Sequence, residues 1–191
     1  MFRELQNAFC RHRSFRQRIS FSAMTIIKKR SFPPIVAPDA RLLILGTLPG
    51  EESLRLEQYY GHPRNHFWPI IASVFGGTHE DDYRERCARL TKNKVALWDV
   101  LQYAERRDSL DSNIKNEVPN TFDAFFAQNP GICTIAFNGQ KAHAFYRRYV
   151  SKMSGIAHDR HRILILPSTS PAYTRSFNEK AAEWRKALLT E

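Results

Sequence analysis

The chain has 191 residues, 42% of them apolar and 12% aromatic, enough for one domain with a sizeable core and too few for two ordinary ones. Its formal charge is +10, but residues 1–30 hold eight basic side chains (Arg3, Arg11, Arg13, Arg16, Arg18, Lys28, Lys29, Arg30) against one acid, Glu4, so the rest carries only +3. A strongly basic fold is thereby excluded, and the mildly basic remainder is compatible with a DNA partner without requiring one.

In chain order, the first 23 residues are Arg-rich, Ser-containing and nearly free of acids, the composition of a mitochondrial presequence. The plainer reading, favoured here, is that Met24 is the true start and that the upstream stretch is a disordered basic arm or an over-extended gene model. Either way residues 1–30 are placed outside the fold, and one domain is expected over 31–191. Residues 41–47 (RLLILGT) then form a run of branched aliphatics ending in Gly, the pattern of a strand buried on both faces. Residues 95–100 (VALWDV), 133–138 (CTIAFN) and 162–166 (RILIL) repeat it. Helices are expected between them at 52–60, 67–75, 121–128, 140–150 and 177–189. In the last, Ser176 and Glu179 make a capping box, and Phe177, Ala181, Trp184 and Leu188 share one face. Four such strands separated by helices predict an α/β three-layer sandwich, a central four-stranded parallel sheet flanked by helices.

In open sheets of this kind ligands bind beyond the strands' carboxyl ends. The turns there are Gly46, Thr47, Leu48, Pro49 and Gly50 after the first strand, and Asn138 and Gly139 after the third. Pro167 to Tyr173 follows the fourth. Small and Pro-bearing turns expose backbone amides, which suits close approach to a base or a phosphate. The three cysteines, Cys10, Cys87 and Cys133, match no metal-ligand spacing, and a reducing compartment fits them best. No apolar run reaches the ~20 residues of a membrane span, so a soluble, cytoplasmic monomer is expected, mitochondrial only if residues 1–23 are a presequence.

The segments GTLPGEESL (46–54), YYGHPRNHFW (59–68), LWDVL (97–101), SLDSNI (109–114), FNG (137–139) and LPSTSPAYT (166–174) occur in this order. Together they resemble the uracil-DNA glycosylase superfamily, and within it the hypoxanthine-DNA (deoxyinosine) glycosylase branch. The resemblance implies that superfamily's four-stranded parallel sheet and a monofunctional DNA glycosylase. Such an enzyme hydrolyses the N-glycosidic bond of deaminated bases, hypoxanthine and also uracil or xanthine, during base excision repair. The partner is then DNA containing a deaminated base.

Breaking that bond generates an oxocarbenium-like sugar and a base anion, so the site must place a water near C1′ and stabilise the leaving base. Relatives with an Asn in the first turn use it to hold the water, and this chain has Thr47 and Leu48 there. By resemblance the catalytic amide is Asn65, of the HPxN segment. On residue type alone Asn65 reads as the cap of the helix at 67–75, and one side chain can do both. Resemblance makes Phe67 the ring that stacks on the extruded base, with Trp68 in the core. Gly46, Thr47, Leu48 and Pro49 would bound the base pocket. Asn138 would read the base edge, or be an ordinary Asn-Gly turn. Asp99 would orient water or cap a turn.

Ser168, Thr169, Ser170, Pro171, Ala172 and Tyr173 are the expected DNA-binding turn. Many superfamily members have a His at the position of Ser168 and a bulky wedge at that of Ala172; neither is present, which leaves Tyr173 or Arg175 as wedge candidates. Arg106 and Arg107 are expected in a loop. Glu51 and Glu52 open a helix, where acids suit its dipole. His62, His66 and His79 are read as surface residues, so no metal and no cofactor is expected. An iron–sulfur cluster would need a fourth Cys. No Lys occupies a matched position, so the product is expected to be an intact abasic site. Two other classes remain open: a catalytically silent binder of damaged DNA, and a hydrolase of free nucleosides or nucleotides.

Overall fold

The computed structural model describes residues 27–78, 80–106, 114–151 and 160–189. The four aliphatic runs form β2 (Leu42–Gly46), β3 (Val95–Asp99), β6 (Thr134–Asn138) and β7 (Arg162–Leu166), all parallel, in the order β3-β2-β6-β7. Strand alternation divides their side chains between two cores. Leu43, Leu45, Ala96, Trp98, Ile135 and Phe137 pack on one side with α4 (Phe122–Gln128) and α5 (Gln140–Tyr149). Ile44, Val95, Leu97 and Ala136 pack on the other with α2 (Phe67–Phe75), α3 (Tyr83–Lys92) and α6 (Phe177–Leu189). The three expected layers are present.

The short α1 (Glu51–Leu56) covers less than the helix expected at 52–60. Glu57 and Tyr60 adopt the left-handed conformation, at φ 54° each, and this ends the helix early. At α6 the capping box forms as expected: Glu179 Oε2 accepts the Ser176 N–H at 3.0 Å, and Ser176 Oγ accepts the Glu179 N–H at 3.3 Å. α3 was not expected, although its own start carries the same signature: Asp82 accepts the Glu85 N–H at 2.8 Å. Among its residues only Leu90 is fully buried, so the apolar period is too weak to announce a helix.

A second sheet, β1 (Ile27–Arg30), β4 (Leu101–Arg106) and β5 (Ile114–Pro119), is antiparallel in the order β1-β4-β5. It corrects two expectations. Residues 27–30 belong to the fold: β1 pairs with β4, and the Lys29 side chain is fully buried with Nζ 3.2 Å from Glu51 Oε1. A domain boundary at residue 31 would cut this strand away; the basic composition concealed it because its partner acid lies 22 residues distant. Arg106 ends β4 instead of sitting in a loop, because β4 and β5 pair as far as Arg106 and Ile114. Arg107, most of the segment at 109–114, the basic arm up to residue 26 and His79 lie outside the described residues. No described helix is long and apolar enough to cross a membrane.

Candidate active site at the strand ends

Parallel pairing brings the carboxyl ends of β2, β3, β6 and β7 to one edge of the sheet. The register sets Gly46 against Asp99 and Asn138 against Leu166. A carboxylate and an amide thus stand at the rim beside the turn that leaves β2. Around them lies a cleft of about 540 Å³, within the range of small-molecule sites. Its walls include Gly46, Thr47, Leu48 and Pro49 from the first turn, Asn65 from the loop before α2, and Asn138. The turn at Ser168, Thr169, Ser170, Pro171, Ala172 and Tyr173 completes them. These segments are up to 127 residues apart in sequence, and the fold joins them at one opening.

The first turn is tightly fitted. Gly46 and Thr47 carbonyls accept the Val100 and Leu101 N–H groups at 2.9 and 3.1 Å as the chain passes from β3 into β4. A Cβ on Gly46 would lie 2.5 Å from Asp99 Oδ1 and 2.8 Å from the Tyr60 hydroxyl, so any side chain here must displace these groups. Asp99 is 3% exposed; Ser31 Oγ donates to its Oδ2 at 3.1 Å, and Asn120 Nδ2 donates to its backbone carbonyl at 2.8 Å. Burial, and secondarily the Asp99 charge, push the neighbouring Tyr59 phenol far above the ordinary tyrosine range, so Tyr59 stays protonated. Its hydroxyl donates to the carbonyls of Phe32 and Pro33.

Asn65 lines the cleft and also serves the helix entrance, since its Oδ1 accepts the Phe67 N–H at 3.0 Å. No described residue accepts a hydrogen bond from its Nδ2, which leaves both amide protons for a water or a substrate. The following N–H, of His66, donates to the Thr169 carbonyl at 3.0 Å and so ties this loop to the turn after β7.

Phe67 does not occupy the place expected of it. Its ring is fully buried, edge-on to Trp68 and Trp184, and is absent from the cleft wall. Tyr60 covers it, stacked at 4.0 Å, and presents its own ring to the cleft. The backbone at Tyr60 is left-handed, at φ 54°. Tyr60 and Arg64, which also lines the cleft, lie inside the quoted segment at 59–68, and their nearness in sequence to Asn65, five residues and one residue before it, is the signal the sequence offers.

Asn138 is 9% exposed and grips Thr169 by both ends of its amide: Nδ2 donates to Oγ1 and Oδ1 accepts the Thr169 N–H, each at 2.8 Å. Gly139 follows at φ 97°, where a Cβ would meet Ser168 Cβ at 3.0 Å. Thr169 is fully buried with its hydroxyl, N–H and carbonyl all engaged, so the expected phosphate contact does not suit it, and it is a strut of the turn. Ser168 Oγ and Ser170 Oγ accept the N–H groups of Ser170 and Ala172 at 3.3 Å each, which leaves both hydroxyl protons to donate outward.

Four similarities bear on this arrangement. The family model of the uracil DNA glycosylase superfamily matches residues 33–190. A hypoxanthine DNA glycosylase of Methanosarcina barkeri (strain Fusaro / DSM 804) is 35% identical over 163 residues, 85% of this chain and 99% of that protein. One of Methanosarcina acetivorans is 35% identical over 157 residues, 82% and 95% of the respective chains. A solution NMR structure from Methanosarcina acetivorans, described as a candidate uracil DNA glycosylase, superposes with a TM-score of 0.72 at 33% identity, covering 85% of this chain and 97% of that one. The chain belongs to the uracil DNA glycosylase superfamily.

Proposed function

We propose that this chain is a monofunctional DNA glycosylase that hydrolyses the N-glycosidic bond of a deaminated base in DNA, with hypoxanthine the preferred base. The observation that carries the reading is the convergence of the Asn65 amide, the Asp99 carboxylate and the Asn138 amide on one cleft at the sheet's carboxyl edge. Membership of the superfamily, and the two relatives named hypoxanthine DNA glycosylases, support the reaction and the base.

In this reading the damaged nucleotide leaves the duplex and its base enters the cleft. Asn65 holds a water through its amide and aims it at C1′. As the bond to the base breaks, the sugar becomes cationic, and the Asp99 carboxylate beside Gly46 stabilises that charge. Water oxygen bonds to C1′, the electron pair of the broken bond leaves with the base, and the water's proton passes through solvent to the base anion, so that the products are the abasic sugar and the neutral free base. Asn138 retains one amide proton and one carbonyl lone pair beyond its two bonds to Thr169, a donor–acceptor pair that complements a base edge carrying a carbonyl and a ring N–H. Ser168, Ser170 and Arg64 face the flanking phosphates.

The test is a cleavage assay on duplexes carrying a single hypoxanthine, uracil or xanthine, with and without alkali. Strand breaks at hypoxanthine that appear only after alkali are expected. Binding without breaks at any lesion would return the silent binder, and release of base from free deoxyinosine would return the nucleoside hydrolase.

A further inference from the structure

Lys180 lies on α6, outside the cleft, and is fully buried, yet no described carboxylate pairs with it. The acids nearest in sequence are engaged elsewhere: Glu179 with Ser176, and Glu183 with Arg175 at 2.5 Å. Burying an ammonium is costly unless its donors are used. Here they meet the turn after β7. Nζ donates to the Tyr173 carbonyl at 2.7 Å and, at a longer 3.4 Å, to that of Ser170. The same nitrogen stands 5.2 Å from the centre of the Tyr173 ring, in cation–π contact. One cation therefore holds both the backbone and the ring of Tyr173. Tyr173 is 41% exposed and lies at the cleft wall. Beside it Ala172 is too small to fill a base-sized gap, and Arg175 is tied back to α6 through Glu183.

We propose that Lys180 is a positioning residue that holds Tyr173 at the mouth of the cleft, where the ring enters the base stack as the damaged nucleotide leaves it. The proposal rests on the glycosylase reading and adds a device for extrusion. It accounts for a lysine under a turn that offers its ammonium two carbonyls and a ring face, and for how the turn works with Ala172 in place of a bulky residue.

The experiment uses the full chain with Lys180→Met and, separately, Tyr173→Ala, an exposed change that leaves the core intact. Release of hypoxanthine is timed from a fully paired duplex and from a duplex whose hypoxanthine sits in an unpaired bulge. A 2-aminopurine beside the lesion reports unstacking on binding. Both variants are expected to lower the ratio of paired to bulged rates by about 10- to 100-fold, the scale set by unstacking, and to blunt the fluorescence rise. Equal slowing on both substrates, or an unchanged ratio, overturns the proposal. Wild-type protein that frees no base from either substrate overturns the glycosylase reading instead, and the fluorescence comparison between wild type and variants then decides Lys180 and Tyr173 separately.

Discussion

Asn138 and Thr169 are joined through both ends of one amide, by two buried hydrogen bonds of 2.8 Å each. The pair closes the carboxyl end of β6 against the turn after β7, and the Thr169 carbonyl continues the link to His66, the neighbour of Asn65. Removing Asn138 therefore has a structural and a recognition consequence that need separating. Asn138→Ala strands the buried Thr169 N–H and hydroxyl and should lower stability by about 2–3 kcal/mol, while changing the relative rates on hypoxanthine and uracil. Thr169→Val leaves the amide edge at the cleft and should lower stability by about 1 kcal/mol with base preference unchanged. Urea denaturation and paired rate measurements distinguish the two. Identical base preference in Asn138→Ala would reduce that residue to a strut.

Asn65 has a cap and an unengaged amide on one side chain, and substitutions separate them. Asn65→Ala should lower base release at least 100-fold, keep DNA affinity within a few-fold, and lower stability by about 1 kcal/mol through the lost cap. Asn65→Asp keeps an acceptor for the Phe67 N–H and should restore the stability without the rate. Single-turnover kinetics beside thermal melting are the measurements, and near-normal turnover in either variant would move the water-holding role to Asp99.

Gly46→Ala places a methyl where the Asp99 carboxylate and the Tyr60 hydroxyl now stand. Both must give way, and both line the cleft. The expected result is a loss of activity of at least tenfold, dominated by KM if Tyr60 moves further and by kcat if Asp99 does. Unchanged kinetics would mean that this end of the cleft takes no part in the reaction.

The exchange of places between Phe67 and Tyr60 predicts opposite phenotypes. Phe67→Ala empties a fully buried site and should lower stability by about 3–5 kcal/mol. Tyr60→Ala, at a half-buried ring, should lower stability less and raise KM for damaged DNA more. Denaturation midpoints and steady-state kinetics on both variants check the assignment.

Away from the cleft, Asp81 accepts bonds from the Thr78 hydroxyl at 2.7 Å, the Thr78 N–H at 3.1 Å and the Arg89 guanidinium. These hold its carboxyl down to about 2, from an ordinary 3.8. A folded-state value below the unfolded one stabilises the protein above the unfolded value and loses that stabilisation as pH falls through the folded one. Asp81→Asn should therefore melt lower than wild type at pH 7, and the two melting curves should converge as pH falls from about 4 toward 2. Added salt should narrow the neutral-pH difference, because the pair is solvent-accessible. A difference undiminished at pH 2 would show that the carboxylate's charge is not the cause.

Runs such as LLILG and TIAFN declare buried parallel strands because both faces of each strand need apolar side chains, and Ser176 with Glu179 declares a helix start because that chemistry is local. From these, and from the order of the turns between them, the three layers and most of the cleft wall were legible in the residues alone. The antiparallel sheet was not. β1 reads as a cluster of basic residues until Lys29 meets Glu51, and β4, LQYAER, shows no clean apolar period because only part of it reaches the core.

Side-chain direction was the other quantity hidden from the sequence. Whether Phe67 or Tyr60 faces the cleft depends on how two rings seven residues apart stack, and whether Lys180 lies in solvent or under the turn depends on carbonyls seven and ten residues away. Apolar periodicity and capping are properties of neighbouring residues and survive in a linear string. The burial of a charge or the facing of a ring is decided by groups that become neighbours only when the chain is packed, and for this protein those contacts determine which side chains line the cleft.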